Sequence, residues 1–371
     1  MPGKIAAAEY IRGAAMLGVV GIHAGAYSLA GPAVNVHLFA LLEIFTRFSV
    51  PIFFFVSAFG LFYQYRPGAP FGYGRFFRRR AAAVLVPYLA WSLLYMAHNS
   101  WATGDVWPWE PPHLYEFLLF GLASYHLYFL VILMWFYALM PLWRAVVPPL
   151  AARPLPWLGA LMSAQVWFNY WSCNVLPFGA EDYYADLALK HRLSYWVLHY
   201  VFVFLLGAVC AVRLEDFRSF AARRRRELGM FFAIALAAML GRYYWLLGNG
   251  KDPEQAVNTV QQLSPEGVVY TLAVCLALFA VFDRPLSPAL SYPLSLLARH
   301  SYAVYLAHPL VMFHLAAGLA AAGEALTPPV VAGFYAATVG VSLLFAAGLE
   351  RLPAFGPLLT GSAPSKVKPG T

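Results

Sequence analysis

Three side chains near the amino end are suited to chemistry: Glu9, Arg12 and His23. Arg12 and His23 are eleven residues apart. At about 3.6 residues per turn this is close to three helical turns, so both share one face, separated by roughly 16 Å along the axis. Glu9 lies one turn before Arg12 and is placed to pair with it. A guanidinium grips phosphate through paired, charge-assisted hydrogen bonds. An imidazole is a ready general base. The spacing suits a phosphate-bearing molecule anchored at Arg12 with its reactive end toward His23. The plainer reading has Arg12 snorkelling to an interface and His23 hydrogen-bonded in a core.

Further polar groups interrupt apolar runs. Glu43 and Arg47 stand four apart, in the favourable order for a helical ion pair. Pro51 frees a backbone carbonyl and is expected to kink its helix. Ser57 follows, able to orient a substrate or to bond its own helix. Arg242 also falls within an apolar segment. His308 precedes Pro309 at a depth comparable to that of His23, either lining the same cavity or satisfying a freed carbonyl. Arg75, Arg78, Arg79 and Arg80 form a dense basic patch, either docking anionic groups or anchoring a helix end. Arg223 to Arg226 read as anchoring.

The elements that must position these groups follow from composition. Of 371 residues, 61% are hydrophobic and 11% charged, whereas soluble domains carry about 25% charged residues. The chain is expected to be an all-α polytopic membrane protein. Ten apolar segments are legible, at about 11–31, 41–64, 82–101, 126–146, 155–174, 195–213, 228–247, 266–283, 299–321 and 328–350. The sequence divides into one membrane domain, 1–359, and a disordered tail, 360–371. No cleavable leader and no internal repeat is apparent.

Orientation follows from the loops. Alternate loops hold Arg66, Arg75, Arg78 to Arg80, Arg144, Arg153, Arg213, Arg218, Arg223 to Arg226 and Arg284. The opposite loops hold most of the acids, with only Lys190, Arg192 and Lys251 as bases. Positive loops stay in the cytoplasm, so both termini are expected there. The net charge of +8 is thereby explained without nucleic acid. Cys173, Cys210 and Cys275 form no disulfide or metal spacing. Trp101, Trp107, Trp109, Trp167, Trp171, Trp196 and Trp245 fall near the outer ends of segments, as an interface belt or a sugar-stacking platform.

Several blocks resemble the acyltransferase 3 family of integral membrane proteins. Arg12-Gly13 followed by His23 matches its Arg-x10-His signature. The run Arg47-Phe48-Ser49-Val50-Pro51-Ile52-Phe53-Phe54-Phe55-Val56-Ser57-Ala58-Phe59 looks like its R-x-x-V-P-x-F-F-x-x-S-G-F block. Arg78 to Arg80, ending at Pro87-Tyr88, resembles its basic loop. His126-Leu127-Tyr128-Phe129-Leu130 resembles its H-L-W-F-L block, and the run from Ser301 to Pro309 its S-Y-G-I-Y-L-I-H-P block. The likeness covers about residues 9–350, in the family's order. Glu9 stands where Asp is frequent, Ala58 replaces Gly, Tyr128 replaces Trp, and a later basic-loop Arg is lacking. Without a hydrolase-like outer domain, the sequence resembles the family's stand-alone branch.

The resemblance implies an O-acyltransferase of the cell membrane, and the high Ala, Arg and Gly content with little Lys suggests a GC-rich bacterial genome. The acyl group, acetyl by the family's pattern, would pass from cytoplasmic acyl-CoA to an extracytoplasmic hydroxyl, such as that of a carbohydrate. Arg12, Arg75, Arg78, Arg79 and Arg80 would hold the donor's phosphates. His23 would act as base or transient acyl carrier, with Glu9 orienting Arg12. Arg47, Ser57 and His308 would polarise the carbonyl or bind the acceptor. No metal is implied, and the partners are acyl-CoA, acceptor and lipid. A transporter or flippase, and a scaffold for polysaccharide export, remain the alternatives.

Overall fold

The computed structural model describes residues 5–29, 35–353 and 355–361, and among these there is helix but no strand. The main helices are α1 (Ala6–Ser28), α2 (Val36–Gln64), α3 (Tyr73–Thr103), α4 (His113–Phe120), α5 (Tyr128–Ala138), α6 (Met140–Ala152), α7 (Pro154–Asn174), α8 (Tyr183–Lys190), α9 (Val201–Val212), α10 (Leu214–Arg223), α11 (Arg225–Gly248), α12 (Pro265–Phe282), α13 (Pro288–Ala321), α14 (Pro328–Leu349) and α15 (Gly356–Thr360). Short helical turns at Trp107–Trp109, Arg192–Tyr195, Val197–His199 and Pro253–Thr259 complete the set.

By length and hydropathy, α2, α3, α11, α12, α13 and α14 each suffice to cross a membrane. The pair α5 and α6, bent by 73°, supplies a seventh crossing if counted as one. The three other expected segments fall to α1, α7 and α9, and each falls short for a visible reason. Helix α1 carries Glu9, Arg12 and His23. Helix α7 carries Gln165, Asn169, Ser172 and Asn174. Helix α9 has only 12 residues. The polar groups of α7 offset the shortness of α9. Gln165 Nε2 donates to the Leu198 carbonyl at 2.7 Å, and the Phe202 amide donates to Gln165 Oε1 at 3.0 Å. In lipid, a broken helix persists only when a neighbour satisfies its freed backbone in this way.

Helix α1 runs through the middle, flanked by α2, α12, α13 and α14. Small residues let it sit there. A Cβ at Gly13 would collide with the Leu294 carbonyl of α13, and one at Gly18 with Ser49 Oγ of α2. Such close backbone approach is the usual way helices associate where lipid removes the hydrophobic drive.

Helix α2 is not continuous. A π-helical turn spans Ala40–Ile44, and regular helix resumes at Ser49. Pro51 sits in the first turn of the resumed helix, where a missing N–H costs nothing. The break therefore lies just before Pro51. Its exposed Phe45 carbonyl accepts from the Tyr270 hydroxyl at 2.7 Å. A second π-helical turn, Ala81–Leu85, interrupts α3 before Pro87, and Tyr302 of α13 donates to its Val84 carbonyl at 2.9 Å.

The expected tail boundary falls inside α15, which ends at Thr360. Trp91 Nε1 donates to the Leu359 carbonyl at 2.9 Å, and Gly361 lies tightly against the Ala83 carbonyl. Residues 362–371, the remainder of that tail, lie outside the described residues.

Candidate active site

A cavity of about 520 Å³ opens beside the amino half of α1. Arg12, Arg80 and Arg299 line it, together with Ser57, Gln64, Tyr137, Tyr302, Tyr305 and Glu350. Arg12 is surrounded by protein yet exposed, because its open surface is cavity wall. Among the described residues, none of the three guanidiniums has a carboxylate partner within 4 Å or donates a hydrogen bond to protein. Arg80 rests over the rings of Phe76 and Tyr137, at 5.6 and 5.5 Å. The Tyr137 hydroxyl meets Ser57 Oγ at 3.2 Å. The cavity is a cationic, solvent-accessible socket whose donors are unspent. That composition suits an oligophosphate.

The deep wall of the cavity contains Phe53, Phe129, Leu130 and Tyr305. Beyond Tyr305 lies a cluster of three imidazoles. The rings of His23 and His308 are near-parallel with centroids 5.3 Å apart, and His308 lies 5.2 Å from His126. Tyr305 packs against both His126 and His308, at 5.1 and 5.9 Å. Its hydroxyl donates to the His126 carbonyl. Tyr125 stands 4.4 Å from His23 on the other side and is 51% exposed. His23 is half-buried, whereas His126 and His308 are closed off at 2% and 0% exposure. Among the described residues, no group of His, Cys, Asp and Glu is arranged to hold a metal ion.

Sequence elements account for this placement. Arg12 and His23 share one face of α1. Pro309 lacks the amide that would bond the Tyr305 carbonyl, and His308 Nδ1 takes its place at 2.7 Å. His126 Nδ1 meets Ser124 Oγ at 3.1 Å. The Nε2 atoms of both His126 and His308 are buried without a partner.

The remaining candidates divide. Glu43 and Arg47 form the expected ion pair at 2.8 Å, almost fully enclosed, with Arg47 Nε left unpaired. Ser57 lines the cavity. Glu9 is half-buried below Arg12 and forms no ion pair with it among the described residues. Of the basic patch, only Arg80 reaches the cavity; Arg75, Arg78 and Arg79 are exposed on other faces of the helix. Arg299, His126, Tyr125 and Tyr305 were not among the expected site residues. His126 and Tyr305 lie inside the quoted sequence blocks, and Arg299 lies two residues before Ser301. The tryptophans do not gather at the imidazoles: Trp167 stacks on Trp171 at 6.3 Å, and Trp245 lies under Arg242.

A wholly enclosed arginine lies elsewhere. Arg192, with 0% exposure, donates to the carbonyls of Ser172, Leu176, Pro177 and Leu189 at 2.6 to 2.8 Å. Its guanidinium carbon sits 3.6 Å from the Phe178 ring centroid. Burial lowers its pKa from the ordinary arginine value, and the nearby Cys173 acts in the opposite direction.

A family model described as an acyltransferase domain, that of the acyltransferase 3 family, matches residues 5–347 of the chain. No curated protein and no solved structure matches it.

Proposed function

The chain belongs to the acyltransferase 3 family, and on that premise we propose that this multi-pass membrane acyltransferase uses acyl-CoA, with acetyl as the acyl group, to modify a hydroxyl of an extracytoplasmic acceptor, a carbohydrate in the simplest case. The observation that carries this reading is the pairing of two compartments across one residue. The arginine-lined cavity stops at Tyr305, and the imidazole cluster begins there.

The donor's phosphates meet Arg12, Arg80 and Arg299 at the end of the cavity nearest the amino terminus. The loop charges favour a cytoplasmic position for that end. The pantetheine arm follows the apolar wall of Phe53, Phe129 and Leu130 inward. The acceptor approaches from the side of Tyr125, where His23 is half-buried. Bringing thioester and hydroxyl together in a dry site supplies most of the acceleration, through positioning. His23 takes part as proton acceptor or as a transient acyl carrier, and both uses require a free imidazole nitrogen. Arg47, whose Nε is buried without a partner, suits stabilisation of charge developing on the carbonyl oxygen. The deep end of the cavity is closed by buried side chains, which favours retention of a donor over passage of a solute.

The test is turnover. Purified protein in detergent should release CoA thiol from acetyl-CoA when given a polyhydroxyl acceptor such as methyl glucoside. His23→Ala should reduce that rate by at least ~100-fold, the scale of an acid–base residue, at unchanged thermal stability. Wild-type turnover by His23→Ala would contradict the role of His23.

A further inference from the structure

We propose that His308 Nε2 is the atom that takes the proton from the acceptor hydroxyl, an inference that rests on the acyl-CoA reading above and goes beyond it by naming the base. A general base is recognised by a third group that orients it through its other nitrogen. His308 has one. The Tyr305 carbonyl can only accept, so His308 Nδ1, at 2.7 Å, must carry the hydrogen. The lone pair is therefore on Nε2, which is buried and unpartnered.

His23 lacks this arrangement. Among the described residues, neither of its ring nitrogens has a hydrogen bond to protein. Its ring lies 5.3 Å from that of His308. Pro309 enforces the difference. By removing an amide it frees the Tyr305 carbonyl, and the next side chain back is the imidazole that satisfies it. His126 supports the same site. Its Nε2 is also buried and unpaired, 5.2 Å from His308 between ring centroids. When Ser124 donates to its Nδ1, the Nε2 of His126 carries hydrogen. A hydroxyl placed between the two rings would donate to the Nε2 of His308 and accept from that of His126. A buried nitrogen without a partner is costly, and a bound hydroxyl removes that cost.

The step balances. The acceptor oxygen bonds to the acyl carbon as its O–H bond breaks, and the proton moves to His308 Nε2. The carbon–sulfur bond then breaks, and His308 returns the proton to the CoA thiolate, which leaves as thiol. Naming His308 as the proton acceptor replaces the first of the two uses given above for His23, and direct transfer replaces the second; His23 is left to position the acyl carbonyl.

The experiment compares wild type, His308→Gln and His308→Ala, with acetyl-CoA as donor and methyl glucoside as acceptor. Acetyl-CoA binding is read by calorimetry and turnover by thiol release. Glutamine can still donate to the Tyr305 carbonyl but cannot take a proton. The expected result for His308→Gln is acetyl-CoA affinity within about twofold of wild type and kcat lower by ~100-fold or more. Added imidazole should restore part of the rate of His308→Ala. Turnover by His308→Gln within fivefold of wild type would overturn the assignment. So would a lowered rate accompanied by lost acetyl-CoA affinity and no imidazole rescue, which marks a structural residue. A wild type that neither binds nor cleaves acetyl-CoA contradicts the donor reading itself, and is recognised before any variant is compared.

Discussion

Two sets of arginines occupy opposite situations in this molecule. Arg192 is wholly enclosed, and its guanidinium is spent on the carbonyls of Ser172, Leu176, Pro177 and Leu189. Arg12, Arg80 and Arg299 surround an open cavity and donate to no protein acceptor among the described residues. A guanidinium whose donors are consumed by backbone is a structural clamp. One held in place with its donors free is waiting for an anion. The arginine content of the sequence says nothing about this difference; the count of satisfied donors does.

The comparison breaks most easily at Arg192. Replacement by alanine leaves four carbonyls without their donors, near the carboxyl end of α7, where a cation is also favoured by the helix dipole. At roughly 1–3 kcal/mol per unpaired buried group, partly relieved by water, the loss is about 4 kcal/mol. Arg192→Ala should fail to accumulate as monodisperse protein, or should melt far below wild type. Arg192→Lys should rescue little, since an ammonium cannot span the planar fork. A fully stable Arg192→Ala would remove the distinction between spent and unspent arginines.

The second test sharpens the other half. Arg80→Ala and Arg299→Ala should leave thermal stability nearly unchanged and weaken acetyl-CoA binding by about fivefold to tenfold each, as expected of one charged hydrogen bond partly screened by water. Arg75→Ala, Arg78→Ala and Arg79→Ala should change affinity by less than about twofold, because exposed charges outside the cavity are screened. Equal losses at all five positions would show a diffuse electrostatic attraction in place of a shaped site.

Much of this arrangement was legible before any coordinates. The shared face of Arg12 and His23, the depth of His308 and the Glu43–Arg47 pair all follow from helical spacing. What spacing could not supply was lateral proximity. His126 is an ionisable residue within an apolar run, the sequence signal of a functional group in a membrane. Its meeting with His308 nevertheless depends on how α5 and α13 pack. Arg299 precedes its block by two residues, at the start of an apolar segment, where an anchoring cation is ordinary. Nor could spacing separate Arg80 from its neighbours, because the π-helical turn after it determines which arginine faces the cavity. The short span α9 was read as longer than it is, since hydropathy does not report that Gln165 carries the broken backbone. Lone Arg192 on the acidic side was the hint of a clamp.

The central claim is that donor binding and transfer chemistry reside at opposite ends of one face of α1. Acetyl-CoA calorimetry on wild type, Arg12→Ala and His23→Ala addresses it most directly. Saturable binding by wild type, weakened about 10- to 100-fold in Arg12→Ala and retained in His23→Ala, is the predicted result. Binding that survives in Arg12→Ala, or that disappears in His23→Ala with the protein still folded, would contradict it.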